Sequence, residues 1–145
     1  EYDIFWSEGA IYNMGFEKGL NEWRRFLKPD GILAVSEITW ITNSRPPELQ
    51  EYWEAEYPEI ATASKKIKVL EESGYSPIGY FVLPESCWVE NYYRPLQEGF
   101  PDFLARHDNN EKATSIIDAE KKEIALYKKY KSYYSYGVYV AQKSS

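Results

Sequence analysis

Residues 26–37 read FLKPDGILAVSE, and this stretch decides the fold class. Pro29 cannot continue a helix, and Gly31 can adopt a positive φ, so together they predict a helix stop and a turn. The run at residues 32–35 is short and continuously apolar, which favours a strand covered on both faces over an amphipathic helix. A helix, a turn and a buried strand form the second half of a βαβ unit, and such units build parallel sheets. The stretch therefore predicts an α/β fold.

Upstream of this stretch, the pattern predicts one strand and one helix. Residues 3–6 form a short apolar strand, which is broken at residues 7–10. An amphipathic helix follows, because apolar side chains recur with helical spacing on one face. The members of that face are Phe16, Leu20, Trp23 and Leu27.

Downstream, the strand that starts at Ile32 is expected to run to Trp40, with helices beginning near Pro47 and Ile60. A third strand at residues 75–83 contains Pro77 and Gly79, which predict an edge position or a bulge. About fifty residues then precede the last strand, at 136–141, and they contain a long helix from about 111 to 134. The first three strands should be parallel, since right-handed helical crossovers connect them.

Composition and charge exclude several classes of protein. A chain of 145 residues with 43% hydrophobic residues is long enough for one domain with a core. Its net charge is −6 and its one dense basic run is at 128–131, so nucleic acid is a poor candidate partner. The lone Cys87 excludes an internal disulfide and fits a reducing cytoplasm. No apolar run approaches the ~20 residues of a membrane span, so we expect a cytoplasmic protein with no membrane partner.

The stretch YDIFWSEGAIYNMGF at residues 2–16, followed by a helix and FLKPDGILAVSE, resembles the second half of class I S-adenosylmethionine-dependent methyltransferases. The similarity is greatest to the small-molecule group found in ubiquinone and menaquinone biosynthesis. It implies that residues 3–5 begin the fourth strand of a Rossmann-like sheet and that residues 27–31 lead into the fifth. The strands at 75–83 and 136–141 would then be the sixth and seventh, with the seventh antiparallel between the fifth and sixth. The implied sheet order is first, second, fourth, third.

The family's glycine-rich cofactor loop is absent, because no two glycines here stand in G-x-G spacing. The chain also begins at Glu1, already close to a strand. We therefore expect residues 1–145 to be the C-terminal part of a methyltransferase domain, with a helical insert at about 84–134. Its partners would be the missing N-terminal half and a small-molecule substrate. A homodimer through the exposed edge of the first strand is a further option.

By resemblance, the segment after the first strand lies beside the methionine part of S-adenosylmethionine. The cofactor-binding candidates are Ser7, Glu8, Gly9 and Ala10. Gly9 permits a close approach of the backbone. The alternative is a plain strand-to-helix turn without a ligand.

The substrate side is assigned to the strand ends and the insert, because ligands in open α/β sheets bind beyond the carboxyl ends of parallel strands. The insert is expected to cap these ends, with an added structural layer or a dimer contact as the alternative. The substrate-binding candidates are Tyr12, Asn13, Ser36, Trp40, Trp88, Tyr92 and Tyr93.

Glu37 is the candidate catalytic residue. It follows an apolar strand directly, and burial there would raise its pKa toward the range of a general base. It is equally a candidate substrate anchor, or a surface residue on a twisting strand. His107 lies in a polar stretch and is expected to be an exposed loop residue, and no residues have metal-ligand spacing.

The sequence thus predicts part of an S-adenosylmethionine-dependent methyltransferase that acts on a small molecule. The main alternative is a non-catalytic α/β protein-interaction module, favoured by the absent glycine-rich loop and the apolar first strand. Half of a nucleotide-dependent oxidoreductase is a weaker option, because such enzymes do not usually end on an inserted antiparallel strand.

Overall fold

The computed structural model describes residues 1–145, which divide into two compact units. We call Glu1–Leu83 together with Ser132–Ser145 the sheet unit, and Pro84–Lys131 the helical unit. The sheet unit contains the strands β1 (Tyr2–Ser7), β2 (Leu27–Trp40), β3 (Ala61–Thr62), β4 (Tyr75–Val82) and β5 (Tyr134–Lys143). Its helices are α1 (Phe16–Arg24), α2 (Pro47–Glu56) and α3 (Ala63–Glu72), and a 3-10 turn covers Ile11–Asn13.

The strand order of the sheet is β1-β2-β5-β4, with the short β3 paired to β2. β1 is parallel to β2, whereas β5 is antiparallel to both β2 and β4. The predicted order and the predicted central antiparallel strand are therefore confirmed. The edge position and bulge predicted from Pro77 and Gly79 are confirmed too, because β4 pairs only with β5 and its register shifts between those two residues.

The KPDG turn lies inside β2 and not in front of it. α1 ends at Arg24 and β2 begins at Leu27, so the predictions that Leu27 belongs to the helix and that the strand starts at Ile32 are wrong. Tyr2 pairs with Leu27 but Ile4 pairs with Ile32, and the residues between them bulge out of the ladder. The left-handed residue is Asp30, with φ of 61°, and not Gly31.

Gly31 is required for a steric reason. A Cβ at this position would lie 2.9 Å from the Lys28 carbonyl oxygen and 3.3 Å from that of Asp3. Both are backbone atoms, so neither moves aside easily. The bulge thus brings the backbone of β2 against β1 at a place where only glycine fits.

One face of the sheet carries the core of this unit. Alternate residues of β2 and β5 point to that face and pack under α1 and α3. The fully enclosed members are Ile11, Phe16, Leu20, Leu27, Leu33, Val35, Leu70, Tyr75, Tyr139 and Ala141.

β1 is an edge strand with exposed apolar side chains. Tyr2, Ile4 and Trp6 alternate along it and are 61%, 59% and 66% exposed. β1 pairs with β2 and with no other strand. Its outer edge is therefore open to a further strand.

The helical unit contains α4 (Glu85–Trp88), a π-helical turn (Val89–Tyr93), α5 (Arg94–Glu98), α6 (Phe100–Arg106) and α7 (Glu111–Tyr130). The side chain of Asn110 caps α7 by accepting a hydrogen bond from the Ala113 amide at 2.8 Å. The prediction that this helix reaches residue 134 is wrong, since Tyr134 already pairs with Trp40 in the sheet. None of the helices in either unit combines the length and hydropathy that crossing a membrane requires.

We predict that Gly31→Ala lowers the free energy of unfolding by about 1–3 kcal/mol, because the added Cβ presses on two backbone oxygens. Gly79→Ala is the matched control, since only Val140 lies within 4 Å of its Cβ, at 3.8 Å, and its effect should stay within about 0.5 kcal/mol. Urea unfolding followed by tryptophan fluorescence measures both. Equal effects of the two variants would contradict the steric account.

Candidate functional site

The carboxyl ends of β1 and β2 lie side by side, because the strands are parallel and Ser7 pairs with Val35. The chain leaving β1 is tied to β2 by one hydrogen bond, in which the Gly9 amide donates to Ser36 Oγ at 2.6 Å. Gly9 has a φ of 56°, a left-handed conformation that glycine adopts without steric cost. The structure thus brings the cofactor candidates after β1 next to Ser36.

The remaining residues of this loop bond locally. Glu8 accepts a hydrogen bond from the Trp6 indole at 2.6 Å, and Asn13 donates to the Ala10 carbonyl at 3.2 Å. Ile11 is buried, while Tyr12 and Asn13 are exposed. The loop is therefore anchored by Ile11 and presents polar groups to solvent.

Glu37 lies at the same end of the sheet and is only 1% exposed, so the alternative of a surface residue is wrong. Its Oε2 accepts a hydrogen bond from the Tyr57 hydroxyl at 2.7 Å and one from Lys66 Nζ at 2.9 Å. Lys66 is itself only 3% exposed, which makes this a buried ion pair. Oε1 of Glu37 has no hydrogen-bond partner in the chain.

Burial raises the pKa of Glu37, and the Lys66 charge together with the two hydrogen bonds opposes that rise. Burial also raises the pKa of the Tyr57 hydroxyl, and the Glu37 carboxylate next to it adds to the effect. Tyr57 therefore stays a hydrogen-bond donor at all ordinary pH values. The cluster holds a carboxylate between one ammonium and one hydroxyl donor.

The loop that carries Tyr57 also caps α1. Glu59 Oε2 accepts a hydrogen bond from the Phe16 amide at 2.9 Å, at the first residue of that helix. A Cβ on Gly15 would lie 2.6 Å from Glu59 Oε1, so glycine at the cap position makes room for the carboxylate. The ring of Tyr12 meets that of Tyr57 edge to face, with centroids 6.3 Å apart. The candidates Tyr12 and Glu37 are thus joined through Tyr57.

Sequence reasoning did not identify Tyr57, Glu59 or Lys66. For Lys66 a signal existed, because it lies three residues after Ala63 and four before Leu70, on the apolar face of α3. A lysine on a buried helix face needs a carboxylate partner, and Glu37 is that partner. Tyr57 and Glu59 lie in a short loop with no pattern of its own, so nothing in the sequence pointed to them.

The other candidates fall into two groups. Trp40 and Ser36 are buried in the sheet unit, and the Trp40 ring meets that of Tyr134 edge to face at 6.2 Å. In the helical unit, Trp88 stacks on Tyr127 at 4.4 Å, and Tyr93 contacts both rings. Tyr92 packs beside Tyr93 but is about half exposed. Substrate contact by these side chains stays a prediction, and no cluster of His, Cys, Asp or Glu in the chain is arranged to hold a metal ion.

No protein-family model and no curated protein matches the sequence. Solved structures do match. A methyltransferase from Geobacter sulfurreducens, crystallised with S-adenosylhomocysteine, has a TM-score of 0.77 at 16% identity over 99% of this chain and 58% of its own. The cyclopropane synthase MmaA2 from Mycobacterium tuberculosis has a TM-score of 0.68 at 16% identity over 97% of this chain and 55% of its own. The cyclase SpnF has a TM-score of 0.70 at 18% identity over 99% of this chain and 50% of its own.

These similarities identify the fold as the Rossmann-like fold of class I S-adenosylmethionine-dependent methyltransferases. The chain spans about half the length of the solved structures that it matches. At such low identity the similarity shows the fold alone. SpnF is named as a cyclase, so sharing this fold does not by itself fix the reaction.

We predict that Lys66→Met lowers the free energy of unfolding at pH 7 by about 3–5 kcal/mol, because Glu37 stays buried without its cation. The pKa of Glu37 then rises further above its ordinary 4.5. Between 4.5 and the raised pKa the folded state binds the proton that the unfolded chain releases, so folded stability increases as pH falls. The deficit relative to the parent protein should therefore shrink in acid, as urea unfolding at several pH values would show.

Two further variants serve as controls for this prediction. Lys68→Met removes a lysine from an exposed pair with Glu72 and should cost less than about 1 kcal/mol. Adding Glu37→Gln to Lys66→Met should recover part of the lost stability. A deficit that is independent of pH, or that Lys68→Met reproduces, would rule out the buried-charge explanation.

Proposed function

We propose that the protein carrying this chain is an S-adenosylmethionine-dependent methyltransferase acting on a small molecule, and that the chain supplies the C-terminal part of its catalytic domain. The observation that carries the proposal is the loop after β1, held to Ser36 through Gly9 at the carboxyl ends of two parallel strands. Ligands of open α/β sheets bind at this edge. The Geobacter neighbour of the same fold was crystallised with the demethylated form of this cofactor.

The loop has a shape that suits a cofactor. A Cβ added at Gly9 would have only the Tyr136 hydroxyl within 4 Å, at 3.9 Å, so the backbone faces open space. We assign Ser7, Glu8, Gly9 and Ala10 to the methionine part of S-adenosylmethionine. Its sulfonium supplies a methyl group that is already activated.

The chain's own residues then have two tasks: to orient the acceptor and to take its proton. Tyr12 and Asn13 are exposed beside the loop and form the wall on the substrate side. Glu37 has one carboxylate oxygen held by Tyr57 and Lys66, and its other oxygen accepts the hydrogen of the O–H or N–H acceptor. Lys66 favours the ionised form of Glu37, which this role requires.

The exposed edge of β1 supports the view that the chain is part of a larger domain. Tyr2, Ile4 and Trp6 are apolar and uncovered, and the chain spans about half of its structural neighbours. We propose that a strand of the N-terminal half pairs with this edge. The same exposed edge favours the second candidate function, an interaction module, in which a second copy or another protein pairs there.

The first test uses the full-length protein that contains this chain. We predict saturable binding of S-adenosylmethionine and release of S-adenosylhomocysteine with an accepting small molecule. Ser36→Ala should weaken cofactor binding about 5- to 10-fold, because the lost hydrogen bond to Gly9 is worth about 1 kcal/mol. Ser76→Ala, which removes an exposed hydroxyl bonded to Ser144, is the control and should have no effect. Absence of both binding and turnover would refute the proposal.

The second test uses the 145-residue chain alone. We predict a dissociation constant for S-adenosylmethionine on the order of millimolar or weaker, and no methyl transfer. The loop at residues 7–13 would leave most of the ligand in water, and affinity depends on ligand burial. Titration calorimetry measures this directly. Micromolar binding would show that the cofactor site is misplaced or the family mistaken.

A further inference from the structure

Arg45, in the loop that follows β2, has a charge with no counterion in the chain. Its guanidinium lies over the ring of Trp40, with Cζ 4.4 Å from the ring centroid. Nη1 donates to the Thr42 carbonyl oxygen at 2.8 Å, whereas Nε is buried without a hydrogen-bond partner. None of the ion pairs of the chain includes Arg45. The Nε–H of Arg45 therefore lacks an acceptor, and its charge lacks a counterion, within the chain.

Trp53, on α2, is a second side chain whose N–H donor has no acceptor. It belongs to the same cluster of aromatic rings as Trp40, with Tyr134 between the two. Its side chain is only 8% exposed, and the indole Nε1 is buried with no hydrogen-bond partner. The Trp53 ring meets Tyr134 at 5.3 Å, and Tyr134 in turn meets Trp40 at 6.2 Å. Buried donors left unpaired cost about 1–3 kcal/mol each, so native proteins usually satisfy them.

The chemistry of these donors selects the ligand. The guanidinium and the indole offer only N–H groups, so the ligand must be an acceptor, and the uncompensated charge favours an anion. A water molecule would satisfy one donor but not the charge. The planar guanidinium matches the two oxygens of a carboxylate.

The surroundings favour one negative charge over two. α2 carries Glu48, Glu51, Glu54 and Glu56, and no lysine or arginine lies between Arg45 and Lys65. This acidic stretch disfavours a doubly charged phosphate more than a single carboxylate. Trp40 is also the last residue of β2, so the cluster lies at the carboxyl end of the sheet.

We propose that Arg45 and the Trp53 indole form a subsite for the carboxylate of a small molecule, with the Trp40 ring as its floor. Assigning that carboxylate to the methyl-accepting substrate rests on the proposed function. The subsite itself rests on donors within the sheet unit. A substrate held there by its acid group would carry its accepting O–H or N–H elsewhere in the molecule.

The test is a titration of the ¹⁵N-labelled full-length protein with sodium acetate, against sodium chloride at equal ionic strength. The Trp53 Nε1–H and Arg45 Nε–H resonances, assigned with Trp53→Phe and Arg45→Gln, should both shift and saturate with acetate only. Arg45→Gln should weaken acetate binding at least about tenfold, since hydrogen bonds to charged groups are strong. Arg25→Gln, which removes an exposed arginine paired with Glu22, should leave it unchanged.

Several outcomes would overturn the subsite. They are no shift beyond that caused by chloride, a shift of only one of the two resonances, an undiminished Trp53 shift in Arg45→Gln, or saturation by phosphate and not by acetate. If a variant fails to fold, the two resonances are assigned in the parent protein by triple-resonance experiments, and the titration of the parent protein alone then decides. The acetate titration contains no cofactor, so its result is independent of the proposed function. Acetate binding without methyl transfer would support the subsite and contradict the proposed function. Methyl transfer without acetate binding would do the reverse.

Discussion

The buried pair of Glu37 and Lys66 is the interaction on which the carboxyl end of β2 depends. It joins the carboxyl end of β2 to α3 with both charged groups almost completely removed from water. Removing such a pair from water costs free energy, and separating the two groups inside the protein costs more, because each charge would then be buried without its partner. The strand and the helix are therefore confined to one arrangement. Tyr57 extends the constraint to the loop between α2 and α3, because its hydroxyl donates to the same carboxylate oxygen.

Two adjacent residues of β2, Ser36 and Glu37, position the loops on opposite faces of the sheet at its carboxyl end. Ser36 and Glu37 point to opposite faces of the sheet, as successive strand residues do. Ser36 holds the loop after β1, and Glu37 holds the loop before β3. A single strand end thus sets the position of the cofactor candidates and of the charged cluster, and a shift of one residue in its register would exchange the two roles.

The strands of the fold were predictable from local patterns, namely the apolar run of β2, the weakened β4 and the apolar β5. Their order and the central antiparallel strand were implied by the resemblance to methyltransferases, and both are confirmed. Element ends were predicted less well. Leu27 has helical spacing to Trp23 but pairs with Tyr2, since a tertiary contact outweighed periodicity.

The candidate site could be predicted only in part. Ser36, Gly9 and Glu37 became candidates because each closely follows a short apolar run, which is a property of the local sequence. The partners of Glu37 come from residues 20 and 29 positions away, and the two unsatisfied donors, Arg45 and Trp53, are recognisable only once burial is known.

The cap of α1 bears on the order in which the protein assembles. Gly15 has no side chain that could cap the helix, and the carboxylate that caps it belongs to Glu59, 43 residues after Phe16. On a ribosome, α1 therefore emerges without its cap and is marginal by length alone. Glu59 is made only after α2, so α1 gains its cap after β1 and β2 have both been synthesised.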